Sequence, residues 1–190
     1  MIDNGYHLLG GIFLELKDAI KNRRSIKQYI DTTVEDSAVE RAIVLATYAP
    51  NHGMREPWRI VWVKKERLEN YAQTFADVAF KNNAEKKIQH VDKTKILAGI
   101  LLVVGPRDRR QKENLEDVLA IGGFMQTLSL ALYEEKIGSC IKTQPPLLHP
   151  ELSKHLGCEA DEMIYGAVYL TAQTEAEYKA RKNNNLISTY

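Results

Sequence analysis

The longest apolar run constrains the fold more than any other feature of the chain. From about Glu113 to Lys136 the residues have helical character, and the centre, Val118 to Tyr133, is apolar on nearly every face. A helix that is apolar all round has to be covered on all sides. Gly122-Gly123 weakens it by about 1 kcal/mol per Gly relative to Ala, which suggests a place where another helix comes close. A chain of 190 residues is expected to form one domain, 1–190, and to hide roughly 70% of its unfolded surface. One thin domain would struggle to cover such a helix, so the sequence points to a homodimer.

Elements of both periods surround this helix. Met1 to Gly11 reads as a loose lead-in, and a short helix then ends near Lys21-Asn22. Arg23-Arg24-Ser25 follows, with an extended Ile26-Lys27-Gln28-Tyr29-Ile30 behind it. Thr33-Val34-Glu35-Asp36 resembles a capping box for a helix striped by Val39, Ala42, Ile43 and Ala46. Next comes a polar loop from Ala49, with Pro50 and Pro57 fixing their own φ, which feeds the strand Ile60-Val61-Trp62-Val63. A third helix carries Leu68, Tyr71, Ala72, Phe75 and Val78, whereas 81–95 is polar and gives no clear period. Ile96-Leu97 and Ile100 to Val104 read as a buried strand. Gly138 is expected to stop the long helix, as Gly commonly does at C′. Ser139 to Thr143 is then extended, His149 to His155 forms a short helix, and Ile164 to Thr171 is a last strand. The remainder, 172–190, is a C-terminal extension. Without regular βαβ alternation, the expected class is α+β, a sheet wrapped by helices.

The totals exclude several functions. The formal net charge is +1, too small to draw nucleic acid or an anionic membrane. No run of about 18 apolar residues, the length of a membrane span, is visible. Cys140 and Cys158 have no ligand or Cys-x-x-Cys spacing, so no metal site is expected. With no secretory leader in view, the expectation is a cytoplasmic, reducing setting. There is no Gly-x-Gly-x-x-Gly after a strand, no P-loop, no Gly-x-Ser-x-Gly and no His-Glu-x-x-His. What remains is a scattered set of polar and cationic groups, Arg23-Arg24-Ser25, Lys142-Thr143 and Lys179-Ala180-Arg181, suited in type to phosphate oxygens.

The order of these groups is specific. Arg23-Arg24-Ser25-Ile26-Lys27-Gln28-Tyr29 resembles the Arg-Arg-Ser-x-Arg-x-Phe/Tyr entry of the nitroreductase family of FMN flavoproteins. Ala49-Pro50-Asn51-His52 through Glu56-Pro57-Trp58-Arg59-Ile60-Val61-Trp62-Val63 is similar to that family's Ala-Pro-Ser…Gln-Pro-Trp-x-Phe-x-Val block. Ile137-Gly138-Ser139-Cys140 resembles its Gly-Leu-Gly-Thr-Cys turn, and Lys179-Ala180-Arg181 its late Lys-x-Arg. Met54 and Glu56 depart from the Asn and Gln usual there.

The resemblance implies a nitroreductase-like fold, with a central, mainly antiparallel sheet in an intertwined homodimer and FMN at the subunit interface. Arg23, Lys179 and Arg181 would hold the phosphate. Arg24 and Ser25 would line the flavin's polar edge or ribityl chain, with Lys142 and Thr143 on the same cofactor. Tyr48, Pro50, Asn51 and His52 would come from the partner. The implied activity is hydride transfer from NAD(P)H, a transient co-substrate, through flavin N5 to a nitroaromatic, quinone or related acceptor, in ping-pong order with no catalytic side chain. Reductive dehalogenation, oxygen-dependent flavin chemistry and non-catalytic flavin storage are the alternatives.

Overall fold

Ile100 to Val104 carries no polar side chain because both of its faces are covered. In a computed structural model that describes residues 14–177, 180–181 and 186–189, this run is the centre of β2. The element order is α1 (Leu16–Asn22), α2 (Asp36–Ala46), β1 (Arg59–Lys64), α3 (Leu68–Ala79), α4 (Ala84–Lys95), β2 (Gly99–Pro106), α5 (Gln111–Glu134), β3 (Gly138–Lys142), α6 (Pro150–His155) and β4 (Glu162–Thr171). Short 3-10 turns fall at His52–Met54, Lys65–Arg67 and Pro145–Leu148. The sheet order is β1-β2-β4-β3, and every neighbouring pair is antiparallel.

Alternation along β2 divides the core in two. Leu101 and Val103 pack with α2 and α5, while Ile100, Leu102 and Val104 pack with α3, α6 and the 145–148 turn. β4 follows the same rule with one interruption. Its register against β2 skips Tyr165 between Gly166 and Ile164. That bulge changes the parity, so Ile164 lies on the same layer as Ala167 and Tyr169. The displaced Tyr165 packs against the other layer and donates its hydroxyl to the Pro106 carbonyl at 2.6 Å.

Four expectations change. The polar stretch 81–95 contains α4, started by Asn83, whose side chain accepts from the Lys86 N–H at 2.9 Å. The helix after Thr33 begins at Asp36 on a Glu35 cap that makes no side-chain hydrogen bond, so the capping box does not form. Gly138 is not the stop of α5. The left-handed position is Lys136, at φ 60°, and the Ile137 N–H reaches back to the Leu132 carbonyl at 2.8 Å while the Lys136 N–H reaches that of Tyr133 at 3.1 Å. These are the two bonds of a Schellman ending. Gly138 instead begins β3.

The fourth change concerns α5 itself. Ala120, Ile121, Phe124, Leu128 and Leu132 are buried on the sheet and α2, but Leu115, Val118 and Leu119 stay exposed. A single chain therefore covers one side of this helix. A Cβ on Gly123 would lie 3.9 Å from both Ala49 Cβ and Pro50 Cδ, and one on Gly122 would meet nothing within 4 Å. Gly123 thus borders the chain's own 49–50 loop and Gly122 faces open space, with no helix crossing there among the described residues. By length and composition α5 is apolar enough to cross a bilayer, contrary to the expectation that no run would be. Its inner face is nonetheless spent on the sheet.

Candidate functional site

Sheet pairing sets the first group of predicted residues. β3 is an outer strand, and its free edge has backbone groups to satisfy. The chain leaving α1 fills part of that edge: Ser25 bridges Ser139 in parallel sense, and the Ile26 N–H donates to the Ser139 carbonyl at 3.0 Å. Ile26 is buried beneath it. Arg23, Arg24 and Ser25 are thereby fixed at the rim of the sheet, with Ser25 exposed.

A cavity of about 530 Å³ opens there, lined by Arg24, Ser25 and Gln28 on one side and by Glu175, Ala180 and Arg181 on the other. Arg23 stands half-buried beside it, and its Nε is buried without a hydrogen-bond partner. Burial, followed by the charges of Arg181 and Arg24, pushes the Arg23 guanidinium below its ordinary value. Arg24 donates from Nη1 to the Lys21 carbonyl, and to the Arg23 carbonyl at 2.9 Å. Among the described residues no ion pair includes Arg23 or Arg181. Arg23 and Arg181, neither in an ion pair and the first with a donor left over, suit a phosphate-type anion, with Glu175 and Glu177 also on the cavity wall. Lys179 lies outside the described residues.

Lys142 and Thr143 follow along the same strand. Lys142 pairs with Ala167 in the β3–β4 ladder, and its Nζ is 6.0 Å from the Tyr169 ring centre. Thr143 is exposed. Neither lines the cavity.

The second group is elsewhere. Tyr48, at 82% exposure, ends the turn after α2, with Pro50 exposed and Asn51 half-buried behind it. Asn51 closes the loop on itself: its Oδ1 accepts from the Glu56 N–H at 2.9 Å, and its Nδ2 donates to the Ala49 carbonyl at 3.4 Å. Gly53, Met54 and Glu56 have φ of 61°, 52° and 46°. Two non-glycine residues in that region store strain of order 1–3 kcal/mol each. His52 Nδ1 lies 3.8 Å from Glu116 of α5. No residue from Tyr48 to His52 borders the arginine cavity.

Arg55 pins this loop, and the sequence reading missed it. Its Nη2 donates to buried Asp117 at 2.6 Å and to the Glu113 carbonyl at 3.1 Å, with Nη1 3.5 Å from Glu116. The pairing spans 62 positions, so no local pattern announces it. The usable signal was an acid pair, Glu116-Asp117, at the start of an otherwise apolar helix. Trp58 completes the dock by stacking on Phe124, ring centres 5.0 Å apart at 24°. Glu56 acts here through its backbone; its side chain is exposed.

Similarity to known proteins follows the same architecture. YfhC of Bacillus subtilis (strain 168), provisionally named an NAD(P)H nitroreductase, is 30% identical over 172 residues, 88% of each chain. Among solved structures, a nitroreductase-like family protein from Bacillus cereus superposes with a TM-score of 0.82 at 24% identity, over 90% of this chain and 93% of that one. A nitroreductase with bound FMN from Bacteroides fragilis NCTC 9343 gives 0.72 at 18% identity, over 94% and 100%. These two share the fold. Residues 20–170 match the nitroreductase family, and the chain belongs to that family.

Proposed function

We propose that the protein is an FMN-dependent oxidoreductase that takes hydride from NAD(P)H and delivers it to nitroaromatic, quinone or related acceptors by ping-pong exchange. The observation that carries this reading is the cavity at the β3 edge, lined by Arg24 and Arg181, with Arg23 and its unsatisfied Nε within reach of their charges. The bound FMN of the Bacteroides structure and the NAD(P)H nitroreductase name of the Bacillus relative support it.

Each residue has a role in that reading. Arg23 and Arg181, with Lys179, hold the phosphate. Arg24 and Ser25 orient the ribityl chain or the polar edge of the ring. Lys142 and Thr143 contact the same cofactor from the end of β3, and a cation there favours a reduced, anionic ring. When bound, FMN supplies the redox chemistry, accepting hydride at N5 and passing it on. The chain's own groups position and do not react.

The protein works as a homodimer. Leu115, Val118 and Leu119 on α5, with Val44, Leu45 and Tyr48 at the end of α2, are apolar side chains left to solvent in one chain. The Tyr48–His52 loop then serves the FMN held by the partner, which explains why it does not border the cavity of its own chain. Two unbonded thiols, Cys140 and Cys158, fit a cytoplasmic, reducing setting.

Purified protein is expected to be yellow, to co-elute with FMN and to oxidise NADH or NADPH when a quinone or nitroaromatic is present. Parallel double-reciprocal lines are expected when both substrates are varied. Colourless protein that takes up no added FMN overturns the reading. FMN-bound protein that turns over no acceptor leaves a flavin carrier instead.

A further inference from the structure

Gly138 lies between the two segments that carry Arg23 and Arg181, with Ile26 of one and Gln173 of the other as its neighbours. Its position in β3 sets this, since the strand touches the Arg23–Ile26 segment on one side and the chain leaving β4 on the other. A Cβ on Gly138 would overlap the Gln173 carbonyl oxygen outright, and would lie 3.0 Å from the Gln173 carbonyl carbon and 3.0 Å from Ile26 Cγ1. Both neighbours are held. Ile26 is 2% exposed and bonded through its N–H to Ser139. Gln173 donates its N–H to Oγ1 of fully buried Thr171 at 3.3 Å. Gly138 has no positive φ, so a left-handed backbone does not explain the residue. Space does: a side chain of any size would push Gln173 off the strand.

Gln173 opens the segment that ends in Arg181, which shares a cavity wall with Glu175 and Ala176. We propose that Gly138 is a positioning residue that sets the protein's preference for a 5′-phosphorylated flavin, by letting the C-terminal segment lie against β3 so that Arg181 meets Arg23. The proposal rests on the FMN reading given above. Gly138 touches no ligand in it. Of the ring and ribityl contacts in that reading, Arg24 and Ser25 are anchored on the other side of the strand, Lys142 and Thr143 at its far end and the Tyr48–His52 loop in the partner subunit, and none runs through Gln173.

Titration of FMN and of riboflavin, read by flavin fluorescence on the intact dimer, tests this. Wild type is expected to bind FMN more tightly than riboflavin. In Gly138→Ala the FMN affinity should fall about 10- to 100-fold, the loss of one or more hydrogen bonds to a charged group, while riboflavin affinity stays within about twofold. Arg181→Ala should cost the same amount in wild type but less than about twofold on top of Gly138→Ala. Should Gly138→Ala not fold, as judged by near-UV circular dichroism, Thr171→Val is read in its place. Removing the acceptor for Gln173 should then lower FMN affinity about fivefold and leave riboflavin unchanged. An unchanged FMN-to-riboflavin ratio in the variant that folds overturns the proposal, and so does an equal loss for both ligands. Wild type that does not prefer FMN over riboflavin defeats the FMN reading itself, an outcome distinct from a wild type that prefers FMN and variants that keep the preference.

Discussion

Arginines in two regions of this molecule behave in opposite ways. At the 51–58 loop, Arg55 is matched: Asp117, Glu116 and the Glu113 carbonyl surround its guanidinium. At the β3 edge, Arg23 is half-buried with a donor left over, beside Arg24 and Arg181. The matched arginine is structural. It holds a strained loop onto α5 and is complete as the chain stands. Arg23 and Arg181 have no ion-pair partner among the described residues, a setting suited to an incoming anion. Neither exposure nor residue type separates the two regions; Glu175 and Glu177 line the β3-edge cavity, but among the described residues neither forms an ion pair with Arg23 or Arg181, whereas Asp117 pairs with Arg55.

That contrast can be broken most forcefully at Arg55. Arg55→Ala leaves Asp117, 4% exposed, buried without its cation. The expected loss is about 3 kcal/mol in urea unfolding, the low end for a broken buried pair because Arg55 keeps some exposure. A loss under about 1 kcal/mol would remove the clamp from the account.

Arg181→Ala should show the opposite pattern. FMN binding is expected to weaken by about 1.5–3 kcal/mol in fluorescence titration. Stability of the FMN-free protein should shift by no more than about 0.5 kcal/mol. If unfolding of the FMN-free protein moves as much as FMN affinity does, the two regions are not different in kind.

Between these lies the loop's own strain. Gly53, at φ 61°, has few neighbours: an added Cβ would meet only Arg55 Cγ at 3.9 Å. Gly53→Ala therefore isolates the left-handed penalty, expected at about 1–2 kcal/mol. The same substitution at Gly157, φ 76° with nothing within 4 Å, should cost a similar amount and serves as the reference.

The smallest effect concerns a histidine remote from both regions. His90 stacks on Phe75 at 4.6 Å between ring centres and packs at a tilt against Phe80. Burial holds its folded value below the ordinary 6.5. The unfolded chain then binds the proton more readily, so stability rises with pH through this window. The contribution is present above about pH 6.5 and is lost as pH falls from there through the folded value. His90→Gln should flatten the pH dependence of unfolding in that range. An unaltered slope assigns the dependence to other groups.

The parts of the architecture that rest on periodicity were legible in the sequence. The run Ile100 to Val104 announces a strand covered on both faces, and Val39, Ala42 and Ala46 announce one face of α2. α4 was not legible, because it is polar throughout apart from residues such as Ile88 and Val91, and only the Asn83 cap marks its start. Gly138 misled for a physical reason. Glycine usually supplies a left-handed helix ending, but Lys136 supplies it here and Gly138 serves a contact with Gln173 that no local pattern encodes. The arginines of the cavity were legible as a family order and not as a cluster. Arg23 and Arg181 are far apart in sequence, and only sheet pairing at the β3 edge brings their segments together. The Arg55–Asp117 clamp escaped for the same reason.

On the function proposed above, one flavin site needs both regions, taken from two copies of the chain. A mixed dimer tests it directly, with His52→Ala in one subunit and Arg23→Ala together with Arg181→Ala in the other. The site on the subunit with intact arginines receives an intact His52 from its partner, and the other site lacks both contributions. Close to one FMN per mixed dimer is expected at near wild-type affinity, with both variant homodimers binding poorly. A mixed dimer that binds no better than those homodimers, or a His52→Ala homodimer that binds FMN normally, contradicts it.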